Sequence, residues 1–378
     1  LVAGKSGIGP ITRFDARIVY VNLVFNKEVF DPAKYMDLKL VDRNPRSVQL
    51  GIAAAKETIE SANLDMSREC PERVGVIVTA LLESGYGAKQ SEVVNERGPR
   101  RIDPLFVAKS SPSATSMQIG MLLGAKGPNT SVNSLCASGA DTIGIALNFI
   151  RLGYADVMIA GGADSTISPV GIAGIDILGA LSRESNPAKA CRPFDLDRDG
   201  FVFGEGAGLV VLESYEHAKK RGAPILAELA GAAWSFDAYD QTAPAPEAEA
   251  YAMKSALQNA GVKPEEVDYI NAHGTSTKLN DANETKAIKM VFGENAYKIP
   301  ISSTKSMIGH TVTAAGAIET IASILIINEG IIHPTINYET PDPECDLDYV
   351  PNVARRAQVN VCLKNSFGLG GENCCLVL

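Results

Sequence analysis

Residues 130–152 read TSVNSLCASGADTIGIALNFIRL, where a strand-like run passes into a helix-like one. The first part, Thr130–Leu135, predicts a buried strand that ends at Cys136. The last part, Ala140–Leu152, places its apolar side chains at the spacing of one helix face. Ala137-Ser138-Gly139 lie between them, and their small side chains allow a sharp turn. A strand joined by a tight turn to such a helix is typical of an α/β fold.

Further strands and helices alternate on both sides of this segment. After the charged helix Tyr215–Arg221 the alternation starts again, so the same α/β plan is predicted twice, in residues 1–215 and 216–378, around one shared core. No residue-level repeat relates the two halves. The other predicted strands are Arg73–Ala80, Asp156–Ala160, Gly208–Leu212, Ile225–Ala230, Val267–Asn271, Ile299–Ser303, Asn360–Lys364 and Cys374–Leu378, and the other predicted helices are Glu247–Asn259 and Ala314–Ile327.

The beginning of the chain does not fit this alternation. Leu1–Asp15 has the character of a loop that follows a helix, yet no first strand or helix precedes it. We therefore expect the natural N-terminus to be missing from this sequence.

Composition and charge narrow the class of protein. The 378 residues are 46% hydrophobic and 21% charged, which is typical of a globular protein and excludes disorder, collagen and coiled coil. A net charge of −9 argues against nucleic-acid binding, which needs a basic surface. Seven cysteines without a C-x-x-C pair suit a reducing compartment. No signal peptide is visible and the apolar run Ile321–Ile327 is short, so we predict a cytoplasmic protein that does not enter a membrane.

Cys136 is the first candidate for chemistry. A side chain at a strand-to-helix turn meets the positive end of the helix dipole, which favours the thiolate over the thiol. The thiolate is the nucleophilic form of cysteine, so a covalent intermediate is expected here. The alternative is a cysteine that only packs at the end of a strand.

Two of the four histidines occupy similar positions. His273 follows one predicted strand in NAHGTST, and His310 follows another in STKSMIGH. The carboxyl ends of strands are where α/β folds bind ligands, so these two side chains are candidates to join Cys136 in a site. His217 is interpreted as a solvated helix residue, and His333 as a loop residue with no partner in view.

Charged residues near the histidines are possible supports. Lys305, five residues before His310, is either a surface lysine or a group that orients a histidine or senses a carboxylate. Asp281 and Glu284 lie one helical turn apart and are candidates to pair with Lys305, with a solvated face as the alternative. Glu319 lies on a largely apolar helix face, where a buried carboxylate needs a partner.

The glycine-rich segment Asn365–Asn373 (NSFGLGGEN) predicts a tight loop between the last two strands. Such a loop brings a backbone N–H to a reacting carbonyl. It is not a phosphate-binding loop, because it lacks G-x-x-x-x-G-K and leads into a strand.

Together these motifs resemble the elongating β-ketoacyl-acyl-carrier-protein synthases and the related ketosynthases of type II polyketide pathways. The resemblance implies the duplicated α/β/α/β/α thiolase-like fold and a dimer. It extends from about residue 66 to the end through LCASGA with Cys136, RPFDLDRDGFVFGEGAG at 192–208, NAHGTST with His273, SSTKSMIGH with Lys305 and His310, PDPECDLDYVPN at 341–352 and NSFGLGG at 365–371.

The resemblance also implies a role for each matching residue. Cys136 is similar to the nucleophile that accepts the acyl chain, and the N–H groups of Cys136 and Leu369 are similar to the oxyanion hole. His273 and His310 resemble the pair that holds the malonyl thioester carbonyl and stabilises the enolate after CO2 leaves. The other implied roles are orientation of His310 (Lys305, Asp281, Glu284 and Glu319), pantetheine contacts (Thr275 and Thr277) and carrier-protein docking (Arg100 and Arg101).

No metal or other cofactor is implied, because the substrates are carried on the phosphopantetheine arm of acyl carrier protein. The expected partners are that carrier protein and a second subunit, either identical or ketosynthase-like. The chain departs from the family at Leu369, where an aromatic gate is usual, and at Asp240-Gln241-Thr242, where a His-Met-Thr pattern is usual.

Two functions within this family remain open. One is a synthase of fatty-acid elongation, and the other is the catalytic ketosynthase of a type II polyketide or polyene synthase paired with a chain-length factor. A non-catalytic chain-length partner would lack the nucleophile, which this chain has at Cys136. A degradative thiolase would need a second active-site cysteine near the glycine loop, whereas Cys374 and Cys375 lie beyond that loop.

Overall fold

A computed structural model describes residues 1–21, 23–25, 30–81 and 84–378. The helices are α1 (Leu38–Arg43), α2 (Arg46–Ser61), α3 (Ser84–Arg97), α4 (Phe106–Lys109), α5 (Ala114–Leu123), α6 (Ser138–Arg151), α7 (Pro169–Asp176), α8 (Tyr215–Arg221), α9 (Pro246–Ala260), α10 (Lys278–Phe292), α11 (Lys305–Ile308) and α12 (Ala315–Glu329). The strands are β1 (Ile8–Pro10), β2 (Leu23–Phe25), β3 (Val74–Thr79), β4 (Asn129–Thr130), β5 (Val157–Asp164), β6 (Phe203–Gly204), β7 (Gly206–Glu213), β8 (Gly231–Phe236), β9 (Tyr269–Asn271), β10 (Ile301–Ser302), β11 (Ile331–Ile332), β12 (Arg355–Arg356), β13 (Cys362–Phe367) and β14 (Glu372–Val377).

The two halves of the chain each build one large sheet of the same design. The N-terminal sheet has the order β4-β3-β5-β7, and the C-terminal sheet has the order β10-β9-β13-β14-β8. In each, three parallel strands are followed by an antiparallel one, β7 in the first and β14 in the second. The predicted repetition of one α/β plan is thus visible in the strand order, without sequence similarity between the halves.

The helices and sheets stack in five layers. Helices α6 and α12 contact both large sheets and form the central layer. Helices α2 and α5 cover the outer face of the N-terminal sheet, whereas α9, with α10 against it, covers the C-terminal sheet. This is the predicted α/β/α/β/α arrangement of a thiolase-like fold. One hydrophobic cluster combines residues of both halves, among them Ile143 of α6 and Leu376 of β14.

Two glycines allow the central helices to cross at very short range. A Cβ atom on Gly139 of α6 would lie 2.7 Å from the backbone nitrogen of Ala317. A Cβ atom on Gly316 of α12 would lie 2.5 Å from the backbone nitrogen of Ala140. Side chains do not fit at such distances. The first turn of α6, which follows Cys136, therefore lies directly against the first turn of α12, which follows His310.

Two of the strand predictions were wrong. The segment Ile225–Ala230 is not a strand, and its first two side chains are about half exposed. The strand of this region is β8, which pairs with β14 from Gly231↔Val377 to Phe236↔Glu372. Its small residues allow this, because a Cβ at Gly231 would be 2.7 Å from the Ala256 carbonyl oxygen of α9. Propensity favours Ile and Leu, but packing against α9 selects glycine and alanine.

The predicted strand Thr130–Leu135 is much shorter in the structure. Strand β4 ends at Thr130, and residues 131–134 form a loop. Leu135 has a left-handed φ of 51° and begins a 3-10 turn, Leu135–Ala137, which leads into α6. Cys136 therefore lies inside a helical turn and not at the end of a strand.

Near the start of the chain a small third sheet was not predicted. Residues 8–10, within the presumed loop, form β1, which pairs with β2, and β2 pairs with β6. Phe203 of β6 also forms a bridge with His310. This sheet thus abuts one of the candidate site residues.

The apolar stretch around helix α12 is longer than the run Ile321–Ile327. Val312–Glu329 has the length and mean hydropathy of a membrane span, and 61% of it is buried inside the protein. It occupies the central layer between the two sheets, where a helix has to be apolar on several faces.

Candidate active site

Residues from both halves meet in a cavity of about 500 Å³. Cys136 comes from the N-terminal half, and His273 and His310 come from the C-terminal half. The Cys136 Sγ atom and one ring nitrogen of each histidine lie within 4.8 Å of one another. The proximity that was expected from strand ends is therefore present in the structure.

Cys136 is half-buried, just before α6. Burial raises the pKa of its thiol, while the backbone N–H of Leu369 and the positive charge of Lys305 act in the opposite direction. Desolvation therefore opposes the thiolate form that the helix dipole is expected to favour, and the formation of a thiolate stays a prediction. The contact from Leu369 places a backbone N–H donor at the sulfur.

His273 and His310 each accept a hydrogen bond on Nδ1. The backbone N–H of Val312 donates to Nδ1 of His310 over 3.2 Å, and Lys305 Nζ lies 3.3 Å from Nδ1 of His273. A lysine ammonium is only a donor. Both neutral rings therefore carry their proton on Nε2. Among the described residues His310 Nε2 has no hydrogen-bond partner, although it is buried.

The environment keeps both imidazoles neutral. Burial lowers the pKa of His273 and of His310 well below the usual range, and the charge of Lys305 adds to this in both cases. Two neutral rings with Nε2–H groups can donate to an oxygen that gains negative charge. Although Cys136, His273 and His310 are close enough to surround a metal ion, an Nε2 that carries a proton cannot ligate one. The expectation that no metal is used stays a prediction.

Backbone contacts with the small sheet fix His310. Its N–H donates to Val202 O over 2.7 Å, and its C=O accepts from Gly204 N–H over 2.9 Å. The ring packs edge-to-face against Phe201, with centroids 5.0 Å apart, and against His273 at 5.6 Å. The unpredicted third sheet thus serves to position a site residue.

Lys305 and Glu319 form a buried ion pair beside His273. Lys305 Nζ lies 2.6 Å from Glu319 Oε1 and donates to the His273 carbonyl oxygen over 2.6 Å. Lys305 is therefore not a surface lysine, and Glu319 has the partner that its burial requires; a role for Lys305 in orienting a histidine or sensing a carboxylate stays a prediction. The histidine in contact is His273, however, and not His310.

Asp281 and Glu284 do not pair with Lys305, contrary to the expectation. Glu284 accepts from the backbone N–H groups of His273 and Gly274, both over 2.8 Å. Asp281 accepts from Phe194 N–H over 2.7 Å and lies 3.7 Å from the Arg198 guanidinium. Both carboxylates belong to α10. Each accepts hydrogen bonds from backbone N–H groups of the loop that carries His273. These hydrogen bonds hold that loop, and a role in orienting His310 stays a prediction.

The glycine loop forms a tight turn between β13 and β14, as predicted. Gly371 N–H donates to Gly368 O over 3.0 Å, and Gly370 N–H donates to Gln241 O over 3.0 Å. Gly370 and Gly371 have φ values of 97° and 89°, which favour glycine. Leu369 lines the cavity and is 37% exposed. Gln241, from the segment that departs from the family pattern, is thus bound to the loop that carries Leu369.

The structure places the other predicted residues as follows. Thr275 and Thr277 both line the cavity, and their hydroxyls lie 2.9 Å apart. Arg100 and Arg101 are exposed at a 3-10 turn. His217 is half-buried rather than fully solvated, and its ring lies between Glu213 at 2.7 Å and Glu69 at 3.1 Å.

His333, which had no partner in view, is buried and contacts two hydroxyls. Its Nε2 lies 2.9 Å from Thr304 Oγ1 and its Nδ1 lies 3.3 Å from Ser302 Oγ. Burial lowers the pKa of this ring to about 4. It supports the segment that precedes Lys305 and stays outside the cavity.

Sequence reasoning missed Lys364, a fully buried lysine whose Nζ lies 2.7 Å from Glu319 Oε2. It also missed Asn365, whose side chain donates to Glu284 over 3.1 Å. Both are in β13, within a run that was interpreted only as a strand. The available signal was a pair of polar residues, Lys-Asn, inside an otherwise apolar strand. Burying such residues costs free energy unless each has a hydrogen-bond or charge partner.

The comparisons with known proteins agree with the geometry. The family model described as the β-ketoacyl synthase N-terminal domain matches residues 1–218, and the C-terminal domain model matches residues 226–339. The chain is 46% identical to 3-oxoacyl-[acyl-carrier-protein] synthase 2 of Coxiella burnetii, with 100% of this chain and 92% of that protein covered. It is 44% identical to the protein of the same name from Staphylococcus aureus, with 99% and 94% covered.

Two solved structures have the same fold and moderate identity. One is a type II polyketide ketosynthase in complex with its acyl carrier protein, with a TM-score of 0.90 and 37% identity. The other is the ishigamide ketosynthase/chain length factor, with a TM-score of 0.91 and 37% identity. Each covers 100% of this chain, and 92% of each of those chains is matched.

Proposed function

This chain belongs to the β-ketoacyl synthase family, and we propose that it is a β-ketoacyl-acyl-carrier-protein synthase that lengthens acyl chains in fatty-acid synthesis. It is an acyltransferase, as its relatives are. The observation that carries the proposal is the meeting of Cys136 Sγ with two neutral imidazoles inside one cavity, within 4.8 Å. A sulfur to carry an acyl group and two N–H donors for an enolate are what the condensation requires.

In the first half-reaction Cys136 attacks the carbonyl carbon of an acyl thioester on the phosphopantetheine arm of the carrier protein. The acyl group moves from one sulfur to the other, and the thiol proton of Cys136 ends on the released phosphopantetheine thiol. The N–H groups of Cys136 and Leu369 stabilise the carbonyl oxygen while it is negatively charged. The apolar part of the cavity wall, which includes Leu81, Ile175 and Phe201, accommodates the chain.

In the second half-reaction a malonyl thioester loses CO2. The electron pair of the broken carbon–carbon bond forms an enolate, whose oxygen accepts from Nε2–H of His273 and of His310. The α-carbon then attacks the acyl carbonyl on Cys136, and the carbon–sulfur bond breaks to release the sulfur. Because the imidazoles donate without ionising, their low pKa is an advantage for this step.

The carrier protein reaches the cavity through its phosphopantetheine arm, for which we propose Thr275 and Thr277 as contacts. Both line the cavity. Arg100 and Arg101 are exposed and positively charged, which suits docking of an acidic carrier. A related ketosynthase is known in complex with its acyl carrier protein. We propose a dimer in the cytoplasm, where the seven free thiols stay reduced.

Mass spectrometry and CO2 release test the proposal together. Wild-type protein incubated with an acyl carrier protein thioester gains the acyl mass on the peptide with Cys136, and releases CO2 from malonyl carrier protein. Cys136→Ala gains no mass and forms no β-ketoacyl product. Activity that survives a chelator supports a reaction without metal. An acyl group on another of the seven cysteines contradicts the assignment.

A second candidate function is the catalytic subunit of a type II polyketide synthase. The similarity to two ketosynthases of such systems favours it. A product series decides between the two functions, because a fatty-acid synthase makes one condensation on saturated chains, whereas a polyketide ketosynthase extends unreduced β-keto chains.

A further inference from the structure

Lys364 is a fully buried lysine in the middle of the C-terminal sheet. It lies in β13, between β9 and β14. Its Nζ lies 2.7 Å from Glu319 Oε2, donates to Ser366 Oγ over 2.6 Å, and donates to Asn365 O. Two ammonium protons thus have hydrogen-bond acceptors, and the charge lies at ion-pair distance from Glu319 Oε2, which has no hydrogen-bond partner of its own among the described residues. An opposite charge and satisfied donors are what a stable buried charge needs.

Glu319 connects Lys364 to the histidine loop. Its other oxygen, Oε1, contacts Lys305 at 2.6 Å, and Lys305 in turn donates to the His273 backbone and lies 3.3 Å from its Nδ1. One carboxylate therefore lies between two ammonium groups, and only one of these reaches the histidine. A carboxylate held at one oxygen rotates about its last bond, whereas one held at both oxygens does not.

The cluster also carries net charge. Two ammonium groups and one carboxylate leave one positive charge in a dry interior beside His273 and His310. Among the described residues, Cys136 Sγ lies within 4.8 Å of a nitrogen of each ring, and the carboxylate of Glu284 binds the backbone N–H groups of His273 and Gly274. Burial is the largest cause of the low pKa of both histidines, and the charges of Lys305 and Lys364 lower it further.

We propose that Lys364 is a positioning residue for the malonyl half-reaction: it fixes Glu319, and through Glu319 and Lys305 it fixes His273 with Nε2–H directed into the cavity. This inference rests on the proposed function. It assigns Lys364 no contact with substrate. Acyl transfer to Cys136 relies on the backbone donors at Cys136 and Leu369, so that step does not depend on Lys364.

The test compares the two half-reactions in Lys364→Met, with Lys364→Gln as a second uncharged variant in case the first does not fold. The control is Lys254→Met, which removes an equal charge at the surface. Acyl loading of Cys136 is measured by mass spectrometry, and CO2 release is measured with labelled malonyl carrier protein. We expect loading within about threefold of wild type and CO2 release roughly ten- to hundredfold lower, the cost of misplacing a reacting group by about 1 Å. The control keeps both rates.

A pH series separates positioning from a merely structural role. In Lys364→Met the loss of CO2 release should grow as the pH is lowered from 8 to 5.5, since removing a nearby positive charge makes the imidazoles easier to protonate. The double variant Lys364→Met/Glu319→Gln restores the net charge, so its pH dependence should return towards that of wild type. Equal losses of loading and CO2 release, or wild-type CO2 release, overturn the inference. A wild-type protein that releases no CO2 contradicts the proposed function instead.

Discussion

Gly316→Ala tests the close crossing of α6 and α12. The new Cβ atom would lie 2.5 Å from Ala140 N and 3.1 Å from both Ala140 Cβ and Ser366 Oγ. Carbon atoms in contact are about 3.5–4.0 Å apart, so one helix has to move by about 1 Å. The obstacle is backbone, which cannot rotate away as a side chain can.

The expected cost follows from two opposing contributions. Overpacking costs about 1–3 kcal/mol, with the upper end expected for a clash with backbone. Alanine in a helix gains up to about 1 kcal/mol over glycine. The free energy of unfolding should therefore fall by about 2 kcal/mol. Because α6 follows Cys136 and α12 follows His310, condensation should fall roughly a hundredfold for a shift of about 1 Å.

Gly87→Ala is the matched control, because it lies in helix α3 with nothing within 4 Å of its would-be Cβ. It should be as stable as wild type or about 0.5–1 kcal/mol more stable. Urea denaturation and CO2 release are measured on all three proteins. If Gly316→Ala is as stable and as active as Gly87→Ala, the argument that this glycine is needed for helix crossing is wrong.

Four further outcomes are expected. His310→Ala should still load acyl chains on Cys136 and release little CO2, and an equal loss of both steps would argue against separate roles. Replacement of Arg100 and Arg101 by Glu should raise KM for carrier-bound substrate more than for a small thioester. The effect should shrink at high salt, since exposed charges are screened beyond about 10 Å at 0.1 M. Equal changes of KM for both substrates would mean that these residues serve the fold and not carrier-protein docking. Leu369→Phe should change the ratio of long-chain to short-chain loading rates at Cys136 with little change in stability, and an unchanged ratio would remove a gating role. Glu249 is fully buried, and among the described residues neither of its carboxylate oxygens has a hydrogen-bond partner; burial, followed by the charge of Glu284, raises its pKa well above the usual range. The contribution of protonated Glu249 to stability is therefore present below the unfolded-state pKa and is lost as the pH rises through the folded-state pKa. In thermal melts, Glu249→Gln should accordingly gain stability over wild type between pH 5 and pH 9. A difference in stability that stays constant over this range would contradict the prediction.

The sequence was most informative where a regular pattern of apolar residues lies beside a recognisable motif. The charged helix over 215–221 was predicted with its observed bounds, and the strand from 74 to 79 with an error of one residue at each end, because a continuous apolar run of this length leaves few alternatives. Cys136, His273 and His310 were found because each follows a strand or turn in a short polar motif. Their convergence depends on two mixed sheets that stack with the same strand order, and the positions of these motifs after predicted strands anticipate it.

The errors have physical causes that a single sequence does not display. Ile225–Ala230 has the composition of a strand, but the space beside α9 admits only the small residues that follow it. Asp281 and Glu284 bind mostly backbone N–H groups, and backbone donors have no sequence signature. Lys364 was missed although it is visible in the sequence, because a charged residue inside a strand is usually assigned to an exposed edge of a sheet.

The interleaving of the two halves in the central layer has a consequence for biosynthesis. While the ribosome is still translating residues 216–378, which takes on the order of 10–30 s at 5–20 residues per second, α6 exists without α12. The inner face of α6, with Ile143 and Ala146, is fully buried only in the complete protein. The nascent N-terminal half therefore exposes an apolar surface while residues 216–378 are being translated. A chaperone that binds apolar segments can bind this surface. Slower translation of the second half should lower the soluble yield, and a co-expressed chaperone should restore it.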